Sequence, residues 1–391
     1  MVIKKDPKNH LLIHSKAKVD FYKNYLERYL RILCLSKHIK NVNIYDIFCG
    51  MGIYEDGGKG SPIVAFEAIS SFFTEWNGKT NTKVSLAVND ISSQNVAKVK
   101  QYIESQSHEF CNIRYFKEDI ERMFRIVQEE VSKTQIDTRN IIFIDPYGYK
   151  NINKDKLFNL MKNGRTEIIF FLPISHMYRF TNFVINCCSE DKVQYEPLRR
   201  FVDSFFPDDK HPIRTNSEMD VMEYIQYITY ALRDNNKYYS TSYYIERDKT
   251  NHFALFFISP HIFGFEKILE VKWQLDEQNG KGFKLPDLQG NLFAKEFAEE
   301  IKINNAKRLE DIFLKSLSTP KTNKELYEIT LENEYLPKHS TAILTKWQNT
   351  KKEFKVTDFQ TGEPARKKSF YLSYEHYKKN EPKVKFIIEK P

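Results

Sequence analysis

No apolar run in this 391-residue chain approaches the roughly 20 residues that cross a bilayer. The opening residues, MVIKKDPKNHLLIHSK, lack the long apolar segment of a signal peptide. Together these absences predict a cytoplasmic protein with no membrane partner. The five cysteines (Cys34, Cys49, Cys111, Cys187 and Cys188) include no C-x-x-C pair, so neither a zinc knuckle nor a disulfide framework is expected. No compact acidic and lysine motif has metal-binding spacing, which disfavours a nuclease and leaves no metal expected. The G-x-G-x-x-G of a dinucleotide turn is missing too, which counts against a dehydrogenase.

What the chain does have is a short apolar strand, a glycine-rich loop and an apolar helix in residues 43–69, NIYDIFCGMGIYEDGGKGSPIVAFEAI. Glycine has no Cβ, so such a loop lets backbone approach a charged small molecule, as in the first βα turn of a nucleotide-type cofactor site. Cys49 inside the loop reads as a space filler, because no activating base is identifiable for it. Ahead of the loop, residues 15–36 carry Val19, Tyr22, Leu26, Tyr29, Leu30 and Leu33 at helical spacing. Behind it, β-rich runs at 42–48, 83–88, 113–116, 141–144 and 167–172 alternate with helical patterns, the signature of a parallel sheet.

The alternation changes after Pro173. Residues 174–239 are aromatic-rich and helical in pattern and read as an insertion or cap. Runs at 240–246 and 253–259 are joined through RDKTNH, a link short enough only for antiparallel strands. A parallel sheet closed by an antiparallel strand marks the methyltransferase version of the doubly wound α/β fold.

Carboxylates fall at matching points after the strands: Asp46, Asp90, Asp119 and Asp145. In open α/β sheets ligands bind there. An acid after the second strand would accept from ribose hydroxyls, and one after the third would contact an adenine amino group; an N-cap on the next helix is the plainer alternative for Asp119. In IIFIDPYGY, residues 141–149, Asp145 and Pro146 can present a carboxylate and a carbonyl to a flat substrate. Tyr147 or Tyr149 would stack on it, a geometry suited to an exocyclic amine pulled from a base stack. A simple proline turn is the alternative.

The net charge of +8 is uneven: residues 301–391 hold 19 Lys+Arg against 12 Asp+Glu, a net of +7. That stretch reads as helices at 306–317, 323–333 and 338–352, then strands at 354–359 and 369–373 around a turn at 361–364. Three helices and a hairpin resemble a winged helix, which would make Lys346, Lys351, Lys352, Arg366, Lys367 and Lys368 phosphate contacts. Winged helices also bind proteins, so a protein partner stays open beside DNA or RNA.

The motif Tyr45-Asp46-x-Phe48-x-Gly50-x-Gly52-x-Tyr54 joins Gly60-Ser61-Pro62 and Asp145-Pro146-Tyr147-Gly148 in a recognisable set. With Lys16, Tyr25-Leu26, residues 165–168 and residues 271–275, that set resembles the three-Cys-motif partner protein family across about residues 14–285. The family is regarded as bacterial and class I methyltransferase-like. The resemblance implies S-adenosylmethionine held by Asp46, Phe48, Gly50, Gly52, Asp90 and Asp119, with catalysis at Asp145, Pro146 and Tyr147 and the acceptor near Ser61 and Tyr149. Where amino-methyltransferases carry Asp/Asn-Pro-Pro-aromatic, the ring here comes one position early and Gly148 follows. The organisation expected is a helical lead-in (1–40), a methyltransferase-like domain (41–290) with an insertion near 174–239, and a basic winged-helix-like domain (300–391). The leading function is methyl transfer to nucleic acid. The alternative is a catalytically inactive methyltransferase-like partner or nucleic-acid-binding protein.

Overall fold

Near-continuous apolar runs make the central strands, because a parallel sheet is buried on both faces; all seven residues of β4 (Thr138–Ile144) except Arg139 are buried. The computed structural model describes residues 10–76, 79–186, 192–216, 218–284 and 294–389. Two compact units divide the chain, one of Met1–Gly264 with Gly282–Leu285 and one of Phe265–Lys281 with Pro286–Pro391. Cys187, Cys188 and the boundary expected near 290 lie outside the described residues.

The first unit opens with α1 (Ile13–Cys34). It then runs β1 (Asn41–Asp46), α2 (Ser61–Glu75), β2 (Lys83–Asn89), α3 (Ser93–Glu104), β3 (Cys111–Phe116) and α4 (Ile120–Ser132) up to β4, followed by α5 (Lys154–Met161) and β5 (Thr166–Pro173). The stretch after Pro173 is helical: α6 (Ile174–Asn186), α7 (Lys192–Phe205), α8 (Pro212–Thr215) and α9 (Val221–Ala231). Then come the antiparallel pair β6 (Tyr239–Asp248) and β7 (Asn251–Ser259), α10 (Ile262–Leu275), and a short β8 (Gly282–Phe283) parallel to β6.

Among the described residues the sheet has eight strands in the order β3-β2-β1-β4-β5-β7-β6-β8. Of these, β7 alone runs against its neighbours. This is the Rossmann-like α/β sheet in its methyltransferase form. The reversed strand lies between β5 and β6, and β8 adds one more edge. Strand order turns back between β1 and β4, opening a crevice outside their carboxyl ends.

The two faces of the sheet bury different partners. Tyr45, Ile142 and Ile144 share a core with Met123, Leu157 and the insertion residue Phe201. On the opposite face Phe143 stacks under Tyr22 of α1, ring centroids 4.2 Å apart.

Helix α1 is pinned to the sheet at two points. Near the carboxyl ends of the strands Lys18 pairs with Asp145; near the start of β5, Tyr25 Oη donates to Glu167 Oε2 at 2.5 Å. Ser259 Oγ donates to the other carboxylate oxygen at 2.7 Å. Burial pushes the Glu167 carboxyl up to about 7 against the pull of these hydroxyls and Arg139. A Cβ on Gly264 would fall 2.0 Å from Glu167 Oε1, backed by Ser259 Oγ at 2.9 Å. Gly264→Ala is therefore expected to displace the carboxylate and destabilise the first unit by about 2–4 kcal/mol, the sum of overpacking and a stranded buried acid. An unchanged denaturation midpoint would contradict that reading.

From Phe265 onward the second unit continues α10 and adds α11 (Ala294–Ser316), β9 (Lys321–Thr322), α12 (Asn323–Glu332), α13 (Pro337–Thr350), β10 (Phe354–Asp358), α14 (Tyr374–Tyr377) and β11 (Val384–Ile388). Thr322 and Glu325 close a reciprocal capping box at the start of α12. The expected strand at 369–373 does not form. β10 pairs instead with β11, Phe354 opposite Ile388, in an antiparallel sheet ordered β10-β11-β9. Phe370 and Leu372 are buried as a strand face would be. However, Lys368 and Tyr371 hold φ of +62° and +54°, outside the β region, so the segment packs its side chains without a backbone ladder.

Candidate functional site

The glycine-rich loop is two turns, not one. Leaving β1, Ile47 N–H donates to Phe143 O at 3.0 Å and Cys49 N–H to Asn89 O at 2.8 Å, which lashes the first turn between β4 and β2. Gly50 and Gly52 take φ of +58° and +71°, which L side chains avoid. A Cβ on Gly52 would also strike Val99 Cγ2 of α3 at 2.6 Å. A second turn is closed by the bridge between Ile53 and Lys59, and Gly60 N–H returns to Gly52 O at 2.6 Å. α2 then starts at Ser61, with Pro62 in its first turn. Asp46, Phe48, Gly50, Gly52 and Ser61 are thus gathered around one crevice.

Asp46 is the unusual residue in that crevice. Its side chain is fully buried, and neither carboxylate oxygen has a hydrogen-bond partner among the described residues. Burial pushes its carboxyl up to about 7; the Ser61 hydroxyl pulls it back, Asp145 adds to the rise, and the Phe48 amide and Lys18 pull it back further. Ser61 and Phe48 are near enough to ease the charge without meeting hydrogen-bond geometry. The hydroxyl of Tyr22, also buried and unpartnered, lies close enough for Asp46 to raise its pKa further, after burial. Among the described residues Asp46 and Asp145 face one cation, Lys18, so the crevice is short of positive charge and suits a small cationic ligand.

Lys18 escaped the sequence reading, which pointed to Lys16. The stripe Lys18, Tyr22, Tyr25 and Tyr29 was its signal: these positions share one face of α1, and Tyr22, Tyr25 and Tyr29 are buried. Lys18 Nζ contacts Asp145 Oδ2 and sits 4.6 Å from the centroid of Phe171.

Of the other acids, Asp90 is 4% exposed and already holds the loop. Its Oδ2 accepts from Gly50 N–H at 3.1 Å. Its Oδ1 accepts from Ser92 N–H at 2.8 Å and from Asn95 Nδ2 at 3.2 Å. Next to it Ile91, which sequence reading did not single out, leaves an apolar side chain 76% exposed. Asp119 is exposed and caps α4, accepting from Arg122 N–H at 3.0 Å, which is the plainer of the two roles expected.

Beyond β4 and β5 a cleft of about 530 Å³ opens between Phe48, Pro146, Tyr149 and His176. Tyr147 stands 90% exposed at its edge. Protein around its hydroxyl, then Asp90, Tyr54 and Asp145, raise its pKa. Tyr149 Oη and His176 Nδ1 are 3.0 Å apart. His176, three residues past Pro173 at the mouth of β5, was not expected at the site. Cys34, Cys49 and Cys111 are free and buried, and burial raises the Cys49 thiol, which leaves it inert.

The basic residues expected to touch phosphate all lie in the second unit. Lys346 pairs with Glu310 at 2.8 Å, and Lys351 Nζ sits 4.7 Å over the Trp347 ring. Lys352, Arg366, Lys367 and Lys368 are exposed. Lys368 N–H donates to Gln348 Oε1 at 3.0 Å, which brings the 366–368 loop beside α13.

No protein-family model and no curated protein matches the chain. Among solved structures it is similar to protein LPL1258 from Legionella pneumophila, with 14% identity and a TM-score of 0.35 over 66% of this chain and 90% of that one. It is similar to the SAM-dependent methyltransferase from Agrobacterium tumefaciens, with 12% identity and a TM-score of 0.31 over 63% of this chain and 62% of that one. It is also similar to Trm1 from Pyrococcus horikoshii, solved with S-adenosyl-L-methionine, with 12% identity and a TM-score of 0.32 over 74% of this chain and 72% of that one. Similarity at this level carries no argument about substrate or chemistry, which rest on the residues above.

Proposed function

We propose that this chain is an S-adenosylmethionine-dependent methyltransferase acting on nucleic acid. The observation that carries the reading is the orphaned Asp46 carboxylate at the end of β1, inside the glycine turn. A buried, unpartnered acid costs a protein stability and is retained where a ligand completes it. The positive charge of this cofactor complements Asp46 and Asp145, the Gly50–Gly52 turn admits close backbone approach, and Asp90 with Ile91 fits the polar and flat parts of a nucleoside. When bound, the cofactor supplies an electrophilic methyl group on a sulfonium.

The protein's own part is positioning. Lys18 holds the Asp145 carboxylate, the Pro146 turn sets it at the cleft, and Phe48, Tyr147 and Tyr149 offer aromatic surface to a planar acceptor. The resemblance to the three-Cys-motif partner proteins agrees with this reading and is silent on substrate.

For the second unit we adopt the winged-helix reading, supported by the order helix, strand, two helices, strand, one-turn helix and strand, and by the exposed cations between α13 and the 366–368 loop. Replacing Lys351, Lys352, Arg366, Lys367 and Lys368 by alanine is expected to weaken binding to duplex DNA or RNA without regard to sequence. The slope of log K against log salt should flatten by about 0.9 for each duplex phosphate that the variant no longer neutralises. An unchanged slope would remove these residues from the interface. Transfer of labelled methyl from the cofactor onto DNA, tRNA or rRNA tests the function as a whole: no product on any of them, with cofactor bound, refutes it.

A further inference from the structure

We infer that His176 is the proton acceptor of the methyl-transfer cleft, and that the acceptor is a group that gives up a proton as it is methylated. The inference rests on the methyltransferase reading above and adds a residue and a chemistry to it. Four side chains lining the cleft can exchange protons: Tyr147, Tyr149, Lys150 and His176. Protein around the hydroxyl, and then nearby Asp90 for the exposed Tyr147 or Tyr195 for Tyr149, raises both phenols, so they stay protonated near neutral pH. A lysine ammonium offers donors only. Asp145, at the same mouth, already has its charge met by Lys18. His176 is left, and its neutral form is favoured by burial first and then by Arg179.

The partner of His176 also fits. Nδ1 lies 3.0 Å from Tyr149 Oη, and among the described residues Nε2 has no hydrogen-bond partner; in this inference the proton is on Nδ1, donating to the phenol oxygen, and the lone pair is on Nε2. Tyr149 then plays the orienting role that a general base needs, holding the ring in place and accepting from the imidazolium once it forms. The ring is wedged between Phe180 of its own helix, centroids 4.7 Å apart, and Tyr195 of α7 at 6.5 Å. The charged and titratable groups facing it are Tyr149 and Lys150 from the turn after β4, Arg179 from α6 and Tyr195 from α7. Arg179 is itself tied to Thr250 O at 2.6 Å.

The step balances simply. The acceptor's oxygen or nitrogen forms a bond to the methyl carbon while the carbon–sulfur bond breaks, with its electron pair staying on sulfur as a neutral thioether. The acceptor's proton passes to His176 Nε2, and the imidazolium releases it to solvent through the open cleft.

Two measurements test this. In the free full-length protein, nitrogen NMR of the His176 ring is expected to show the Nδ1–H tautomer, titrating below the usual histidine range. Tyr149→Phe should shift the midpoint lower by about half a pH unit, since the imidazolium loses one hydrogen bond. An Nε2–H tautomer overturns the inference. In the transfer assay His176→Asn should lower kcat by about 10²–10⁴-fold. It should also abolish the fall in rate at acid pH, with cofactor affinity by calorimetry kept within about twofold. If wild type transfers methyl and His176→Asn matches it across pH, the inference alone fails. If wild type transfers none to any nucleic acid, it falls together with the function proposed above.

Discussion

Asp46→Asn is expected to abolish cofactor binding and at the same time to stabilise the free protein above neutral pH. Both effects come from the same buried carboxylate. Hydrogen bonds to a charged group are worth about 1.5–3 kcal/mol each, so losing the two that the carboxylate oxygens can accept should weaken S-adenosylmethionine by about 100-fold or more. The stability effect follows from the carboxyl being raised to about 7 by burial. A raised acid holds a proton in the folded state that the unfolded chain has already lost, so stability falls as pH rises from about 4 to about 7, and the penalty is complete above that. At about 1.4 kcal/mol per pH unit, removing the acid returns at most on the order of 4 kcal/mol at pH 8 and nothing near pH 4. Wild-type cofactor affinity should accordingly rise with pH through 7, with release of up to one proton on binding. Calorimetry in buffers of different ionisation enthalpy reads that proton, and urea unfolding at pH 5 and pH 8 reads the stability. Cofactor affinity unchanged in Asp46→Asn would sink the assignment of the crevice.

Lys18→Met should produce the second large effect, with the opposite sign in stability. Among the described residues the lysine is the one cation in contact with Asp145, its side chain is 14% exposed, and its ammonium lies over the Phe171 ring. Methionine keeps the apolar contact and removes the charge, leaving two neighbouring carboxylates uncompensated. Breaking a fully buried pair by removing one partner costs about 3–5 kcal/mol. With Asp145 20% exposed, some of that is relieved by water, and a loss nearer about 2 kcal/mol is expected. The loss should grow from pH 5 to pH 8, as protons that would relieve the repulsion are withdrawn. Methyl transfer should drop by about 10²-fold if Asp145 must be held in place for the acceptor. Lys18→Arg should recover most of the stability. A Lys18→Met protein with wild-type stability and turnover at pH 8 would show that the pair is incidental.

Much of the architecture was legible in the chain because hydrophobic periodicity is local. The five parallel strands, the lead-in helix, the helical stretch after Pro173 and the antiparallel pair around RDKTNH all follow from patterns within about ten residues of one another. The strand misplaced at 369–373 shows the limit. Phe370 and Leu372 alternate as a strand would, but nothing local revealed that Lys368 and Tyr371 would take positive φ, or that 384–388 would claim the ladder beside β10. The glycine turn was readable for the same local reason, since Gly50 and Gly52 sit where only glycine is comfortable.

The chemistry of the site was only half readable. Asp46 and Asp145 stand out in the sequence because each follows a strand, yet that says nothing about which is partnered. Tertiary contact decided that Asp145 meets Lys18, 127 residues away in the chain, while Asp46 meets no hydrogen-bonding partner among the described residues. Packing likewise committed Asp90 to the Gly50 amide and brought His176 to Tyr149 across 27 residues. By itself the sequence determined the fold class and where along the chain the glycine turn leaves the sheet, because glycine spacing and strand pattern are properties of neighbouring residues. The tertiary structure decided which charges cancel and which proton acceptor is left free, because burial and electrostatic pairing depend on distances that the chain sets only once it has folded.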